Sequence, residues 1–292
     1  MKLPDQFNTL LSSISREVLT EDSFQIIEKP AIDNSVVIKS GISDLSSIPV
    51  EVFYSKDTSP LPHASDRVFY NRNNDFAYWC LGLQDYLRMN LIAKKYLNEF
   101  PNTYLDFGCA SGRVVRHVAF QSECKNIYCV DINERNIKWI LKYLPNKVIP
   151  IHTSILPHLP FEDNYFDFIS SFSVFTHIFV FETTWLAELR RILKPNGIAY
   201  VTLQMGASLE EWRTNIVKNR PRLAMNERFL TSKFDTKEVF IDDAINGKFI
   251  NAQTFHPENY VRDLFGRFFK IEEIIHGWHG STKQSVVVLR KI

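Results

Sequence analysis

The chain has 292 residues, 45% apolar and 23% charged, which is enough apolar material for a sizeable core and argues against a disordered chain. Lys and Arg total 34 against 33 Asp and Glu, a formal charge of +1, so no nucleic-acid partner is expected. The four cysteines are too few for a disulfide framework and lack metal-ligand spacing, so reduced thiols and no metal are expected. Met1–Asp5 opens no apolar leader, and no run reaches the roughly 18–20 apolar residues of a spanning helix. These features predict a cytoplasmic protein without a membrane span.

Residues 1–65 read as an N-terminal extension that carries no recognisable chemistry. Within it, Ser35–Lys39 and Val50–Tyr54 are β-prone runs that predict strands. Ser59-Pro60-Leu61-Pro62 reads as a linker. From Asp75 to Tyr96 the apolar residues recur at helical spacing. A regular alternation follows. Thr103–Phe107 predicts a strand, and Val114, Val115 and Val118 mark the helix after it. Asn126–Asp131 predicts the next strand, and Ile137, Ile140, Leu141 and Leu144 form one apolar stripe of a helix. Lys147–Ile151 and Phe166–Phe172 predict two more strands. The helix Trp185–Leu193 stops at Lys194-Pro195-Asn196-Gly197, before a strand over Ile198–Leu203.

Residues 206–253 are polar, mainly helical in appearance, and break the alternation, so they read as an insertion. The pattern resumes with a helix near Pro257–Leu264 and strands near Phe269–Ile275 and Ser285–Leu289. The short connection between these last strands requires an antiparallel hairpin. The expected fold is α/β: a doubly wound, seven-stranded sheet, mostly parallel with the last strand antiparallel. Such sheets bind ligands beyond the carboxyl ends of their strands.

The strongest chemical signal is Leu105-Asp106-Phe107-Gly108-Cys109-Ala110-Ser111-Gly112-Arg113, where a strand turns into a helix. Gly108 and Gly112 permit unusual backbone angles and close approach of a ligand. The spacing is neither that of a dinucleotide pyrophosphate turn nor that of a phosphate-cradling loop, which speaks against a nicotinamide-dependent oxidoreductase. An acidic residue at the strand end suits an ammonium group. Asp131 ends the next strand 25 positions later (131 − 106), where a carboxylate can accept hydrogen bonds from two ribose hydroxyls. The plain alternatives are an ordinary glycine-containing turn and a helix-capping Asp.

These runs resemble the motifs of class I S-adenosylmethionine-dependent methyltransferases. L-D-F-G-C-A-S-G-R is similar to their first motif and V-D-I-N to their acidic second motif. L-P-F-E-D-N-Y-F-D-F-I-S-S-F-S-V-F-T-H resembles their fourth strand and its approach, and W-L-A-E-L-R-R-I-L-K-P-N-G-I-A-Y-V-T the helix and strand that follow. The resemblance covers about residues 100–205 and implies S-adenosylmethionine as cofactor. It implies that Asp106, Gly108, Cys109, Ala110, Ser111 and Gly112 line its methionine part. Asp131 would hold the ribose and Ile132 would pack on the adenine, with Ser154 and Ile155 beside it. Ser171, Phe172 and Ser173 would lie beneath the cofactor. The acid that many relatives carry shortly before L-P-F is missing here, and Ser154 or a backbone carbonyl is the expected substitute. The division expected is an extension over 1–65 and a methyltransferase domain over 66–292, with 206–253 as an acceptor lid.

Methyl transfer to a hydroxyl profits from a positioned base, and His is the usual choice near neutral pH. His177, just beyond the fourth strand of the motif series, is the first candidate, and His256 the next. His276 and His279 are expected between the last two strands, in structural roles. Tyr70, Tyr78 and Trp79 precede the core and could cap the cofactor. Strand four lacks the Asn/Asp-Pro-Pro-aromatic run of base and glutamine amino-methyltransferases. The expected acceptor is a small molecule or glycan, methylated at oxygen. The competing expectation is a sensor or partner subunit that binds S-adenosylmethionine or S-adenosylhomocysteine without catalysis.

Overall fold

The computed structural model describes residues 23–67, 70, 73–245 and 249–292. Met1–Asp5 and the rest of the first 22 residues lie outside them. The described residues divide into two compact units: those up to 155 with 159–168, and 156–158 with the described residues from 169 to 292.

In the first unit, β1 (Ile26–Ile27) is followed by two helices where strands were expected, α1 (Asn34–Ser40) and α2 (Val50–Lys56). The ends of α1 explain the outcome. Asp33 caps its start by accepting the N–H groups of Ser35 and Val36, and Gly41, at φ 66°, closes its end onto Ile38. These caps outweigh the β-branched run Val36-Val37-Ile38, whose helix penalty is only a few tenths of a kcal/mol per residue. In α2, Val50 and Phe53 are buried three positions apart, a helical spacing.

The expected linker is also a packed element. Its Leu61–Pro62 forms β2, antiparallel to β1, and Ser59 donates to the Tyr143 carbonyl at 2.7 Å. Asp57, beside it, is fully buried against Arg116, at 2.7 and 3.0 Å, and takes the Trp79 indole N–H at 2.7 Å. Helix α3 (Asp75–Leu97) is a single helix, capped by Asn74 at its start and by Asn98 in the left-handed region at its end. It is buried on most of its circumference, as expected of a core helix.

The alternation then runs as predicted: β3 (Thr103–Phe107), α4 (Val115–Gln121), β4 (Asn126–Asp131), α5 (Glu134–Tyr143), β5 (Val148–His152) and β6 (Phe166–Ser171). Strands β3, β4 and β5 pair in parallel. Asp167, near the start of β6, accepts the Thr103 N–H at 2.9 Å and its hydroxyl at 2.7 Å, which ties it to the first residue of β3, away from the ligand-binding strand ends.

The second unit holds α6 (Glu182–Ile192) and β7 (Leu193–Leu203), followed by α7 (Gly206–Glu211), α8 (Pro221–Ala224) and α9 (Glu227–Thr231). The insertion is not helical throughout, because β8 (Glu238–Ile245) and β9 (Phe249–Phe255) form an antiparallel hairpin. Phe240 and Phe255 from this hairpin pack with Trp212, Leu223 and Phe229, which gives the insertion a core of its own. The chain ends with α10 (Glu258–Phe265), β10 (Lys270–His279) and β11 (Gln284–Arg290). His276 and His279 belong to β10 itself, since the strand runs past Gly277, at φ 65°, to a turn at Gly280 and Lys283.

The sheet order is β10-β11-β7-β6-β3-β4-β5, with β11 antiparallel to both neighbours. This is the expected seven-stranded, doubly wound arrangement. No helix among the described residues is long and apolar enough to cross a membrane.

Candidate functional site

The glycine turn after β3 departs from ordinary backbone at three alternate positions: Gly108 at φ 79°, Ala110 at φ 47° and Gly112 at φ 84°. The N–H groups of Gly108 and Cys109 both donate to the Val130 carbonyl, at 2.9 and 3.0 Å, which pins the turn to the end of β4. Asp131 completes the tie. Its Oδ2 accepts the Ala110 N–H at 2.8 Å, and its Oδ1 accepts the Asn133 N–H at 2.8 Å and the Asn136 amide at 3.3 Å. Burial raises its carboxyl above the usual range, and these hydrogen bonds only partly offset that.

Asp106 is buried one position from the end of β3. Ser111 shares a hydrogen bond with the Tyr78 hydroxyl at 3.2 Å, so α3 touches the turn. Gly112 has a packing role: a Cβ there would lie 2.8 Å from Leu144 and 3.3 Å from Ile140. The Cys109 and Cys129 thiols are buried and pushed up by that burial, which leaves them uncharged and poor nucleophiles.

Beyond the ends of β4 and β5 lie Ile132, Ser154 and Ile155. Parallel register sets Asp131 beside His152, and the Thr153 N–H donates to the Asp131 carbonyl at 3.0 Å. Ile132 and Ile155 are 56% and 65% exposed, two large apolar side chains that the protein leaves uncovered next to its acidic loop. His152 Nε2 lies 3.1 Å from the Ile132 carbonyl.

In the second unit, Ser171 ends β6, and Phe172 and Ser173 follow it. Phe172 packs against Tyr200 and His279. Ser173, at φ 59°, donates its N–H to the Thr202 hydroxyl at 2.7 Å and its own hydroxyl to Gln284 at 3.1 Å. Thr202 also donates to Gln284, at 2.8 Å. The Ser171 hydroxyl is fully buried and has no hydrogen-bond partner, an uncommon state for a buried group. Thr202 and Gln284 were missed by sequence reading. Their signal was a polar residue at each end of an apolar run, Thr202 in Ile198–Leu203 and Gln284 before Val286–Leu289.

The two candidate histidines differ in setting. His177 is exposed, on a turn where its N–H bonds to the Val174 carbonyl at 2.9 Å, and its Nδ1 lies 3.0 Å from the Ala252 carbonyl. A carbonyl only accepts, so Nδ1 carries a hydrogen, and in the neutral ring Nε2 is the acceptor nitrogen. His256 is 1% exposed, and its Nε2 lies 2.6 Å from Glu182 Oε1, inside a side-chain network. Glu182, also missed by sequence reading, takes two more donors on Oε2, Lys237 at 2.9 Å and Tyr260 at 2.6 Å. Burial alone would raise the Glu182 carboxyl, but His256, Lys237 and Tyr260 outweigh it and hold it down to about 2. Among the described residues, no group of three or more His, Cys, Asp or Glu side chains is arranged to hold a metal ion.

These residues fit S-adenosylmethionine. A strained glycine turn allows close backbone approach, a carboxylate beside it suits a diol, and uncovered isoleucines suit a purine face. A family model described as a methyltransferase domain matches residues 105–201. An uncharacterised protein of Methanocaldococcus jannaschii is 31% identical over 157 residues, covering 53% of this chain and 58% of that relative, so the match spans little more than half of the relative's length. An S-adenosylmethionine-dependent methyltransferase from Methanosarcina mazei superposes with a TM-score of 0.50 at 20% identity, over 69% of this chain and 97% of its own. A 1,6-didemethyltoxoflavin-N1-methyltransferase from Burkholderia thailandensis gives 0.50 at 12% identity, over 93% and 96%. At these identities the structural likeness is one of fold. With the motif turn and the acidic loop inside the matched segment, residues 105–201 of this chain are a methyltransferase domain with the fold and motifs of the class I S-adenosylmethionine-dependent enzymes.

Proposed function

We propose that this protein is a cytoplasmic enzyme that methylates a hydroxyl of a small-molecule or glycan acceptor. The observation that carries the reading is the Ala252 carbonyl at 3.0 Å from His177 Nδ1, on an exposed histidine. It makes Nε2 the nitrogen able to take a proton. Residues 66–292 form the catalytic domain in this reading, residues 206–253 border the acceptor, and residues 1–65 are an extension.

S-adenosylmethionine supplies an activated methyl group when bound, for in-line displacement by the acceptor. The chain's own residues bind and orient. Asp131 holds the ribose hydroxyls, Ile132 and Ile155 flank the adenine with Ser154 at its edge, and the turn from Asp106 to Gly112 lines the methionine end. Ser171, Phe172 and Ser173 form the floor. His177 Nε2 would accept the proton of the acceptor hydroxyl as that oxygen takes the methyl group. His256, enclosed in its network, supports rather than touches the acceptor.

The test is turnover on a panel of methyl glycosides and small phenols, read as S-adenosylhomocysteine formed. The expected result is activity with a hydroxyl acceptor and a rate about 10²–10⁴-fold lower in His177→Ala. Tight cofactor binding without turnover across the panel would favour a non-catalytic sensor instead.

A further inference from the structure

Both ends of the β8–β9 hairpin reach one buried carboxylate. Lys237, the residue before β8, and His256, the residue after β9, bind the two oxygens of Glu182, at 2.9 Å to Oε2 and 2.6 Å to Oε1. Tyr260 of α10 adds a third donor at 2.6 Å. Glu182 stands in the first turn of α6, where an acid favours the helix dipole even when exposed. Here its side chain is 2% exposed, and a buried charge persists only with partners. The partners come from both feet of the hairpin.

Between those feet, β9 makes two contacts with the turn after β6. The Thr254 N–H donates to the Thr176 carbonyl at 2.8 Å, and the Ala252 carbonyl accepts from His177 Nδ1 at 3.0 Å. Residues two apart on a strand turn their backbone groups to the same edge, so one edge of β9 serves both contacts while the other pairs with β8. The position of the Ala252 carbonyl therefore depends on where the hairpin is fastened.

We infer that Glu182 is a positioning residue for His177: by clasping both ends of the hairpin it fixes the carbonyl that sets the imidazole's tautomer and direction. The inference rests on the reading of His177 as the base. It makes the insertion a part of the catalytic scaffold as well as a border for the acceptor.

The test is ¹⁵N NMR of the histidine side chains in the full chain bound to S-adenosylhomocysteine, with His177 assigned by its loss in His177→Ala. The wild type is expected to show the Nδ1–H tautomer, and Glu182→Gln a mixture, while His152 in the first unit stays unchanged as reference. In kinetics with the best methyl glycoside, Glu182→Gln is expected to lower kcat about 10- to 100-fold, the scale of a misplaced catalytic group, with KM for S-adenosylmethionine unchanged. Placed on His177→Ala it should cost less than about twofold, the sign of coupling through that residue. Lys237→Met frees one foot only, and should shift tautomer and rate the same way by less; it carries the test if Glu182→Gln does not fold. An unchanged His177 tautomer in a folded variant overturns the inference, as does an equal loss in both backgrounds. If His177→Ala keeps its rate, the base assignment fails, and the tautomer result alone decides whether Glu182 orients the ring.

Discussion

Asp131 Oδ2 accepts the backbone N–H of Ala110 at 2.8 Å, across 21 positions of chain. The acidic loop and the glycine turn are thereby one structural unit. A carboxylate oxygen has more than one acceptor position, so Oδ2 can serve its backbone donor and still take a ribose hydroxyl, while a second hydroxyl at Oδ1 would replace the longer Asn136 contact. The same bond holds Ala110 in its left-handed conformation, which costs about 1–2 kcal/mol for a residue with a side chain.

Asp131→Ala should weaken S-adenosylhomocysteine binding by about 1.5–3 kcal/mol, roughly 10- to 150-fold, as measured by calorimetry. Binding needs the carboxylate to accept from hydroxyls. Because burial raises its titration, affinity should fall on acidification at a higher pH than for an ordinary Asp. Asp131→Asn should lose that pH dependence; affinity equal to wild type in either variant would remove Asp131 from the ribose site.

Gly112→Ala should destabilise the fold by about 2–4 kcal/mol in urea denaturation. The φ of 84° is strained for alanine, and the added Cβ would lie 2.8 Å from Leu144. Gly206→Ala, with no atom within 4 Å of the new Cβ, is the matched control and should change stability by less than about 1 kcal/mol.

Asp57→Ala should cost about 3–5 kcal/mol, because it strands the fully buried Arg116 guanidinium. Burial would raise the Asp57 carboxyl, but Arg116 outweighs it and holds it low. The pair therefore stabilises the fold above the unfolded Asp range and is lost as pH falls. If Asp57→Ala were as stable as wild type, the attachment of residues 50–62 to α4 would not depend on this pair.

Glu182 gives a second acid-side prediction. Its carboxyl is held down to about 2 in the folded protein, against an ordinary 4.5. Its contribution is complete above about pH 4.5 and fades as pH falls toward 2, amounting to about 3 kcal/mol over that window. The stability of Glu182→Gln should lack this component, and a parallel pH profile for variant and wild type would contradict the network.

For His177, the wild-type rate with a hydroxyl acceptor should fall on the acidic side of the imidazole's titration, since a base works only when unprotonated. His177→Ala should be slow at every pH and lack that limb, with cofactor affinity unchanged. An identical acidic limb in the variant would assign the base elsewhere.

The alternating core from Thr103 to Leu203 and its glycine-turn motif are legible in the amino-acid sequence, because those signals are local. A strand over Thr103–Phe107 running into Gly108, and the apolar stripe Ile137–Leu144, depend on residues within one or two turns of each other. Local propensity misled where caps and burial prevailed: Val36–Ile38 became helical through Asp33 and Gly41, and the Ser59–Pro62 linker became a buried pairing. The hydrogen on His177 Nδ1 follows only from the folded chain, since it depends on a carbonyl 75 positions away. It alone decided the enclosure of His256, whose partner Glu182 is 74 positions away. No periodicity carries such contacts, since a backbone carbonyl or a buried carboxylate can be supplied by any residue that the fold brings into reach.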